Sequence, residues 1–342
     1  MDSELSFIII IFLICMAFGL SFSIGSNDET PSPLAAAGTI KFKLVLIVGG
    51  TGLAVGMIFL SEAVASLVGQ KILGPGIKYT IFMLLAVLLS SIIWLIIGSF
   101  AGIPLSSTHS LIGSIFGVVI VYAIFGGGID IQTAFNWEKL TNVVISWIIS
   151  PIAGLLITFI LYRIMAKLFL KRIKGLNQIE DVENKFAWAL VFAVFGACIW
   201  TGANSAEALG ILYALYSNGS LNLQQYYFFV VICAIFAFLG MYIAGRYVIK
   251  TLASQMTDAR PSDGFVIQVS STIILAIATL FGIPISHSHV IVFCFIGLNM
   301  AQKKEVDYKN LGKMAIYWVL TFPIAAIMAG IIYFTFISNG LI

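Results

Sequence analysis

Gly102-Ile103-Pro104-Leu105-Ser106-Ser107-Thr108-His109 is a short polar stretch between two long apolar runs, and the chain carries it twice. The second copy, Gly282-Ile283-Pro284-Ile285-Ser286-His287-Ser288-His289, lies 180 residues later and keeps six of the eight positions, if Leu and Ile count as equivalent. All three histidines of the protein lie in these two stretches. A motif repeated at this distance indicates that the chain consists of two related halves.

A second pair of polar motifs supports the duplication. Gly25-Ser26-Asn27-Asp28 in the first half corresponds to Gly202-Ala203-Asn204-Ser205 in the second, 177 residues later. Two motifs at nearly the same offset show that the whole chain is duplicated. Polar interruptions at corresponding positions of two apolar halves are typical of the binding site of a membrane transporter.

The composition sets the fold class. The 342 residues are 60% hydrophobic and only 10% charged, and the mean hydropathy is +1.06. Soluble domains are nearer a quarter charged, so most of this apolar surface must face lipid. The sequence therefore predicts an all-α, polytopic membrane protein. A net charge of +3 gives no reason to expect a nucleic-acid partner.

The apolar runs and the charges predict the topology. We divide the chain into a first transmembrane repeat (1–162), a linker (163–185) and a second repeat (186–342). We call residues 102–109 and 282–289 the histidine motifs. Each half crosses the bilayer an odd number of times, whether its histidine motif forms a re-entrant hairpin or two crossings, so the halves should be inverted. This division puts 15 of the 18 basic residues on one side. By the positive-inside rule, the linker is cytoplasmic and both termini lie outside the cell membrane.

The histidine motifs suit an oxyanion. A backbone broken inside a membrane must line a cavity or be buried in protein, and a helix that restarts after the break offers free N–H groups and a positive dipole end. Small hydroxyl side chains surround each break: Ser106, Ser107, Thr108, Ser286 and Ser288. The alternative is that these are ordinary packing residues in kinked helices.

The asparagine motifs, as we call residues 25–28 and 202–205, are suited to bind a cation. Asn27 and Asp28 would place amide and carboxylate oxygens at a helix break, where they could hold Na⁺ or relay a proton. Alternatively, Asp28 lies at the membrane edge and reaches water. Glu62 and Glu207 are further candidates for buried acids, and we expect Glu62 to face the protein interior because it lies well inside an apolar run.

The remaining polar candidates indicate neither a metal centre nor an enzyme. His287 and His289 could form a metal pair, but no cysteine or dense carboxylate cluster accompanies them in the sequence. His109 and Arg246 remain intramembrane candidates without an assigned task. No nucleophile–base pair stands out, and no organic cofactor is expected.

These motifs resemble the inorganic phosphate transporter (PiT) family, whose halves each carry a Gly-Ala-Asn-Asp and a Pro-(Val/Ile)-Ser-Thr-Thr-His motif. The resemblance covers essentially the whole chain and includes the run from Gly245 to Thr251, which contains Arg246. It implies an inverted repeat with two re-entrant hairpins, a homodimer, and phosphate transported together with Na⁺ or H⁺. By resemblance, phosphate would bind at Ser106, Ser107, Thr108, Ser286, His287 and Ser288. The cations would bind at Asn27, Asp28, Asn204 and Ser205.

Two departures from the family pattern leave the ions open. Ser205 replaces the second Asp, which removes or weakens one cation site and so affects the coupling stoichiometry, and His287 replaces a Thr. Hydrogen phosphate can donate a proton to a carboxylate such as Asp28 and sulfate cannot, but some relatives of this family are sulfate permeases. We therefore predict a secondary active transporter of phosphate, with a sulfate permease as the alternative. A divalent-metal permease using His109, His287 and His289, or a membrane enzyme, would be different classes of protein.

Overall fold

The computed structural model describes residues 3–75, 77–169, 175–255, 259–306 and 308–341. Within these ranges the protein is all-α, and the β-structure consists of one isolated antiparallel bridge between Leu73 and Phe135. The first half contains α1 (Ser3–Ser26), α2 (Ser32–Ala37), α3 (Phe42–Leu60), α4 (Glu62–Ser66), α5 (Ile81–Ala101), α6 (Ser107–Val121), α7 (Ile131–Ala134) and α8 (Trp137–Leu168). The second half contains α9 (Leu176–Asn204), α10 (Glu207–Ser217), α11 (Leu223–Gly240), α12 (Arg246–Gln255), α13 (Pro261–Leu280), α14 (His287–Gln302) and α15 (Tyr308–Ser338).

The long helices confirm a polytopic membrane protein. In the described part of the chain, nine helical segments are long and apolar enough to cross a bilayer. Short wider π-helical segments extend α4, α6 and α11: Leu67–Lys71, Tyr122–Gly127 and Met241–Gly245. The histidine-bearing helix α14, with 16 residues, is not among the nine, because a full crossing needs about 20 residues.

The two halves pack by exchanging equivalent helices. The first long helix of each half packs on the second long helix of the other, as α1 on α11 and α9 on α3. The helix after each histidine motif packs on the last helix of the other half, as α6 on α15 and α14 on α8. Such reciprocal packing is what a duplicated chain should show. That the halves are inverted in the membrane remains a prediction.

Each histidine motif breaks a hairpin of two helices. In the first hairpin α5 ends at Ala101, the chain turns at Gly102 with φ +67°, and α6 begins at Ser107. In the second, α13 ends at Leu280, Gly282 has φ +66°, and α14 begins at His287. We call residues 102–106 the first tip and residues 282–286 the second tip. A positive φ suits glycine, and the proline two positions on keeps the tip extended.

One sequence prediction about a helix limit is corrected, and the predicted linker contains helical residues. The apolar run that contains Glu62, residues 44–68, was expected to form one span, but α3 ends at Leu60, and the Ser61 hydroxyl donates to the Met57 carbonyl at 2.5 Å. Glu62 therefore begins a separate helix with its side chain exposed, and does not face the interior. The predicted linker 163–185 is partly helical, since α8 runs to Leu168 and α9 begins at Leu176. Its residues 170–174, with three of its basic side chains, lie outside the described residues.

Close backbone contact holds the helices of different halves together. Gly202 of α9 lies against the Leu53 carbonyl of α3, and Gly56 of α3 lies against the Ile199 carbonyl of α9, so that a Cβ at either glycine would overlap these oxygens. Small residues that let backbones approach are a common basis of helix association in membranes. The glycine of the second asparagine motif therefore has a packing task.

We predict that Gly56→Ala lowers the unfolding temperature of the purified protein, because the added methyl group must push α3 away from α9. Overpacking of this kind costs about 1–3 kcal/mol. Gly196→Ala is the matched control: it lies in α9, and a Cβ there meets nothing within 4 Å. It should be neutral or slightly stabilising, since alanine is the better helix former. Tryptophan fluorescence during heating in detergent measures both, and equal unfolding temperatures would contradict the packing argument.

Candidate substrate site between the two tips

The two tips are joined by reciprocal hydrogen bonds. The Thr108 hydroxyl can donate to the Ile285 carbonyl across 3.2 Å, and the Ser288 hydroxyl donates to the Leu105 carbonyl across 3.3 Å. Donors and acceptors are equivalent positions of the two halves. The Ser288 hydroxyl thus satisfies the Leu105 carbonyl, which the break in the first hairpin leaves free, whereas the single Thr108 proton can go either to the Ile285 carbonyl or to Glu207. The polar motifs predicted to form one site are indeed brought together.

The two asparagines hold the tips in place. Asn27 donates from Nδ2 to the Leu105 carbonyl at 2.8 Å. Asn204 donates from Nδ2 to Thr279 and to the Ile283 carbonyl, both at 3.0 Å, and its Oδ1 accepts from the Ile285 amide at 2.9 Å. Asn204 therefore uses both ends of its amide to position the second tip, a task that the sequence did not indicate.

Two serines cap the helices that leave the tips. Ser106 accepts a hydrogen bond from the His109 amide at 3.2 Å, and Ser286 accepts one from the His289 amide at 3.5 Å. Serine is among the preferred residues at this position, because its oxygen satisfies an N–H that has no partner in the helix. The positive ends of α6 and α14 are thereby fixed at the junction of the tips, where they favour an anion.

Three buried carboxylates surround this junction. Glu207 accepts from the Ser107 and Thr108 hydroxyls through one oxygen, each at 2.9 Å. Asp28 and Glu29 face the second tip, where the His287 Nε2 lies 3.7 Å from an Asp28 oxygen and 3.9 Å from a Glu29 oxygen. The three carboxylates are at most 1% exposed. We call Asp28, Glu29 and Glu207 the acid group.

The acid group has more acceptors than donors. Within the described part of the chain, several buried oxygens have no hydrogen-bond partner: Asn27 Oδ1, Asp28 Oδ2, both Glu29 oxygens, Glu207 Oε2 and Gln268 Oε1. The Ser288 hydroxyl is near Glu29, but its hydrogen bond goes to Leu105. Unpartnered carboxylate oxygens in a protein interior are costly. This oxygen-rich arrangement is suited to hold a hard cation.

The histidines separate into two environments. His287 lies with Asp28 and Glu29, in a group whose ligand atoms all lie within 4.8 Å of one another. The His109 ring lies tilted against Trp147, with centroids 3.8 Å apart, and the His289 ring lies tilted against Trp318, at 4.2 Å. Among the described residues, His109 and His289 belong to no group of three metal ligands. The three-histidine metal site of the alternative hypothesis is thus not formed.

A family model described as the phosphate transporter family matches residues 30–329 of the chain. The chain belongs to the phosphate transporter family.

Named members of this family are similar in sequence to this chain over nearly their full length. A putative phosphate permease of Pyrococcus horikoshii is 27% identical, over 95% of this chain and 97% of the relative. A probable low-affinity inorganic phosphate transporter of Rhizobium meliloti is also 27% identical, over 98% of each chain. These relatives are named as permeases and transporters, which are not enzymes. A solved structure of a protein named "The sodium-dependent phosphate transporter" has the same fold, with a TM-score of 0.82 at 21% identity over 96% of this chain and 98% of that one.

In this member of the phosphate transporter family, the other predicted residues are placed as follows. Ser205 is buried at the end of α9, next to the site. Arg246 lies outside the site: it is exposed at the start of α12 and donates to the Tyr247 hydroxyl at 3.0 Å. Arg246 therefore does not reach the site between the tips, although it falls within the apolar helical segment Leu223–Ser254. Glu62, exposed at the start of α4, is outside the site as well.

Sequence interpretation missed two residues of the site. Glu29 directly follows the asparagine motif but was not among the predicted site residues. Gln268 of α13 is fully buried and donates from Nε2 to the Thr30 carbonyl at 2.6 Å. A glutamine inside a helix this apolar is itself a signal, since polar side chains within the membrane usually have a task.

We predict that Asn204→Leu destabilises the protein more than Asn27→Leu. Loss of the Asn204 amide leaves the Ile285 amide and the Ile283 carbonyl unpaired, and each unpaired buried group costs about 1–3 kcal/mol. Asn27 gives up one such bond, and its Oδ1 has no partner to lose. Thermal unfolding of the two purified variants, measured side by side, checks the order. Equal unfolding temperatures would show that Asn204 does not position the tip.

Proposed function

We propose that the protein is a secondary active transporter that carries inorganic phosphate across the cell membrane together with Na⁺. The observation that carries the proposal is the meeting of two helix N-termini and several hydroxyl groups with three buried carboxylates. The first set of groups favours an oxyanion, and the second favours cations. Both lie at the contact between the two halves.

The anion would be bound by hydroxyl and amide groups. Ser107 and Ser288 are buried beside the N-termini of α6 and α14, and no Lys or Arg is among the described residues that form the junction of the tips. A site without a fixed cation can release phosphate more easily than one built on arginine pairs. That suits a transporter, which must bind and release its substrate in every cycle.

Cations would be needed to offset the repulsion between phosphate and the acid group. A phosphate dianion beside the acid group meets several negative charges and a single imidazole, that of His287. Two like charges 4 Å apart repel by about 4 kcal/mol at the effective dielectric constant of protein sites. Phosphate can therefore enter only when cations offset the negative charge of Asp28 and Glu29, so that anion and cation bind together or not at all. This is the physical requirement for coupled transport.

Na⁺ fits the free ligands better than H⁺. Besides the His287 Nε2, the unpartnered atoms around Asp28 and Glu29 are oxygens, including the amide oxygens of Asn27 and Gln268, which cannot accept a proton at neutral pH but can ligate a metal ion. The phosphate transporter whose solved structure shares this fold is named as sodium-dependent, which supports the same choice. We place Na⁺ at Asn27, Asp28 and Glu29, with Ser205 nearby, and keep H⁺ as the alternative.

The transport cycle would be alternating access. The acid group and the tip hydroxyls are buried on all sides, so the site must open to one face and then to the other as the halves move. We further propose the orientation given by the basic residues, with both termini outside, and a homodimer as the working form.

Uptake of labelled phosphate into proteoliposomes tests the function. We expect uptake that requires an inward Na⁺ gradient and persists in excess unlabelled sulfate. Asp28→Asn should reduce Na⁺-driven uptake roughly 10-fold or more, since a lost charged interaction costs about 1.5–3 kcal/mol. Glu62→Gln, which removes an exposed carboxylate, is the matched control and should transport normally.

Three results would contradict this proposal in different ways. Entry of labelled sulfate in place of phosphate would make the protein a sulfate permease of the same fold. Phosphate uptake driven by a proton gradient and indifferent to Na⁺ would change the coupling ion. Uptake of a divalent metal that ignores Ser288→Ala would favour the metal permease.

A further inference from the structure

Glu207 has no counterpart in the asparagine motif of the first half. There the acids directly follow Asn27, whereas in the second half Ser205 follows Asn204 and the carboxylate comes two residues later. Glu207 begins α10 and is 1% exposed. It is also close enough to His287 to interact with it electrostatically, as Asp28 and Glu29 do. The carboxylate therefore lies inside the site, on the side of the first tip.

Glu207 holds the hydroxyls that an anion would use. Its Oε1 accepts from both Ser107 and Thr108 at 2.9 Å, while its Oε2 has no partner in the described structure. A hydroxyl has one proton to donate, so each of these side chains can serve either Glu207 or an incoming anion. An anion bound at the first tip would thus be in contact with a carboxylate.

A carboxylate beside an oxyanion discriminates between anions that carry a hydroxyl group and anions that do not. An ionised carboxylate only accepts hydrogen bonds, so an anion oxygen beside it must bring its own hydrogen. Phosphate and arsenate keep at least one hydroxyl group at neutral pH, whereas sulfate and selenate are fully ionised. The first pair can donate to the free Glu207 oxygen. The second pair leaves two acceptors facing each other without a proton between them.

We propose that Glu207 is the residue that makes the site select protonated tetrahedral oxyanions, by accepting a hydrogen bond from the anion's hydroxyl group through Oε2. The proposal rests on the proposed function, because it assigns the anion selectivity of that same site. The Ser107 and Thr108 hydroxyls lie between the carboxylate and the anion, and each donates its one proton to one or the other. Asp28 and Glu29, on the side of the second tip, are left to the cations.

The experiment compares anions that differ in little but the proton. Uptake of labelled phosphate is measured against increasing arsenate or selenate, whose sizes are similar, in the wild-type protein, Glu207→Gln and Glu62→Gln. In the wild type, the selenate concentration that halves phosphate uptake should be roughly 10-fold or more above the arsenate concentration that does so, as expected when a site leaves a polar group unpaired. Glu62→Gln should keep this ratio.

Glu207→Gln should abolish the discrimination. The amide has nearly the same shape but can donate a hydrogen bond, so selenate should compete within about 3-fold of arsenate, a difference below 1 kcal/mol. Glu207→Asp keeps the charge and should keep the preference for arsenate. If Glu207→Gln does not transport, the same ratio is obtained from the shifts in unfolding temperature that phosphate, arsenate and selenate cause in the purified variant.

The outcomes separate this inference from the function on which it rests. Absence of phosphate uptake by the wild type would overturn the proposed function itself. Wild-type uptake with an unchanged arsenate preference in Glu207→Gln would leave the function standing and refute the role of Glu207. A shift in the Na⁺ requirement of Glu207→Gln, with the anion preference intact, would make Glu207 a cation ligand and also refute it.

Discussion

The structure depends on how two broken helical hairpins satisfy their backbone inside a membrane. Lipid offers no hydrogen bonds, so the carbonyl and amide groups freed at the two tips need partners within the protein. The tips supply them to each other through Thr108 and Ser288, and the asparagine motifs supply the rest. This requirement draws four motifs, far apart in the sequence, to one point between the halves. The glycines of α3 and α9 allow the close packing that keeps them there.

The same junction determines the chemistry. Fastening the tips fixes the N-termini of α6 and α14, which favour an anion, and the helix breaks at Asn27 and Asn204 bring the acid group to the same place. The result is a buried site with unpartnered oxygens and a single imidazole. Such a site is unfavourable when empty and unfavourable with phosphate alone, because carboxylates repel an anion. In our account, cation coupling is thus a consequence of the charge balance of the site.

Much of this could be predicted from the sequence, because the signals are repeated. The duplicated motifs with Pro104 and Pro284 indicated both hairpins, and composition indicated the membrane. The partners could not be predicted, since they depend on contacts between distant residues. Glu207 meets Ser107 across 100 positions, and Gln268 meets Thr30 across 238. The prediction for Glu62 was wrong for a local reason. An apolar run long enough to cross the membrane was taken as one helix, although the helix ends at Leu60.

Equilibrium binding of labelled phosphate to the purified protein, with Na⁺ and with Na⁺ replaced by an organic cation, tests the central claim most directly. If the acid group excludes phosphate until cations are bound, Na⁺ should tighten phosphate binding at least 5-fold, in the usual range of coupling between sites of about 5–150-fold. Phosphate should tighten Na⁺ binding by the same factor, because the coupling is reciprocal. Phosphate affinity that is unchanged by Na⁺, at both acid and alkaline pH, would contradict the account.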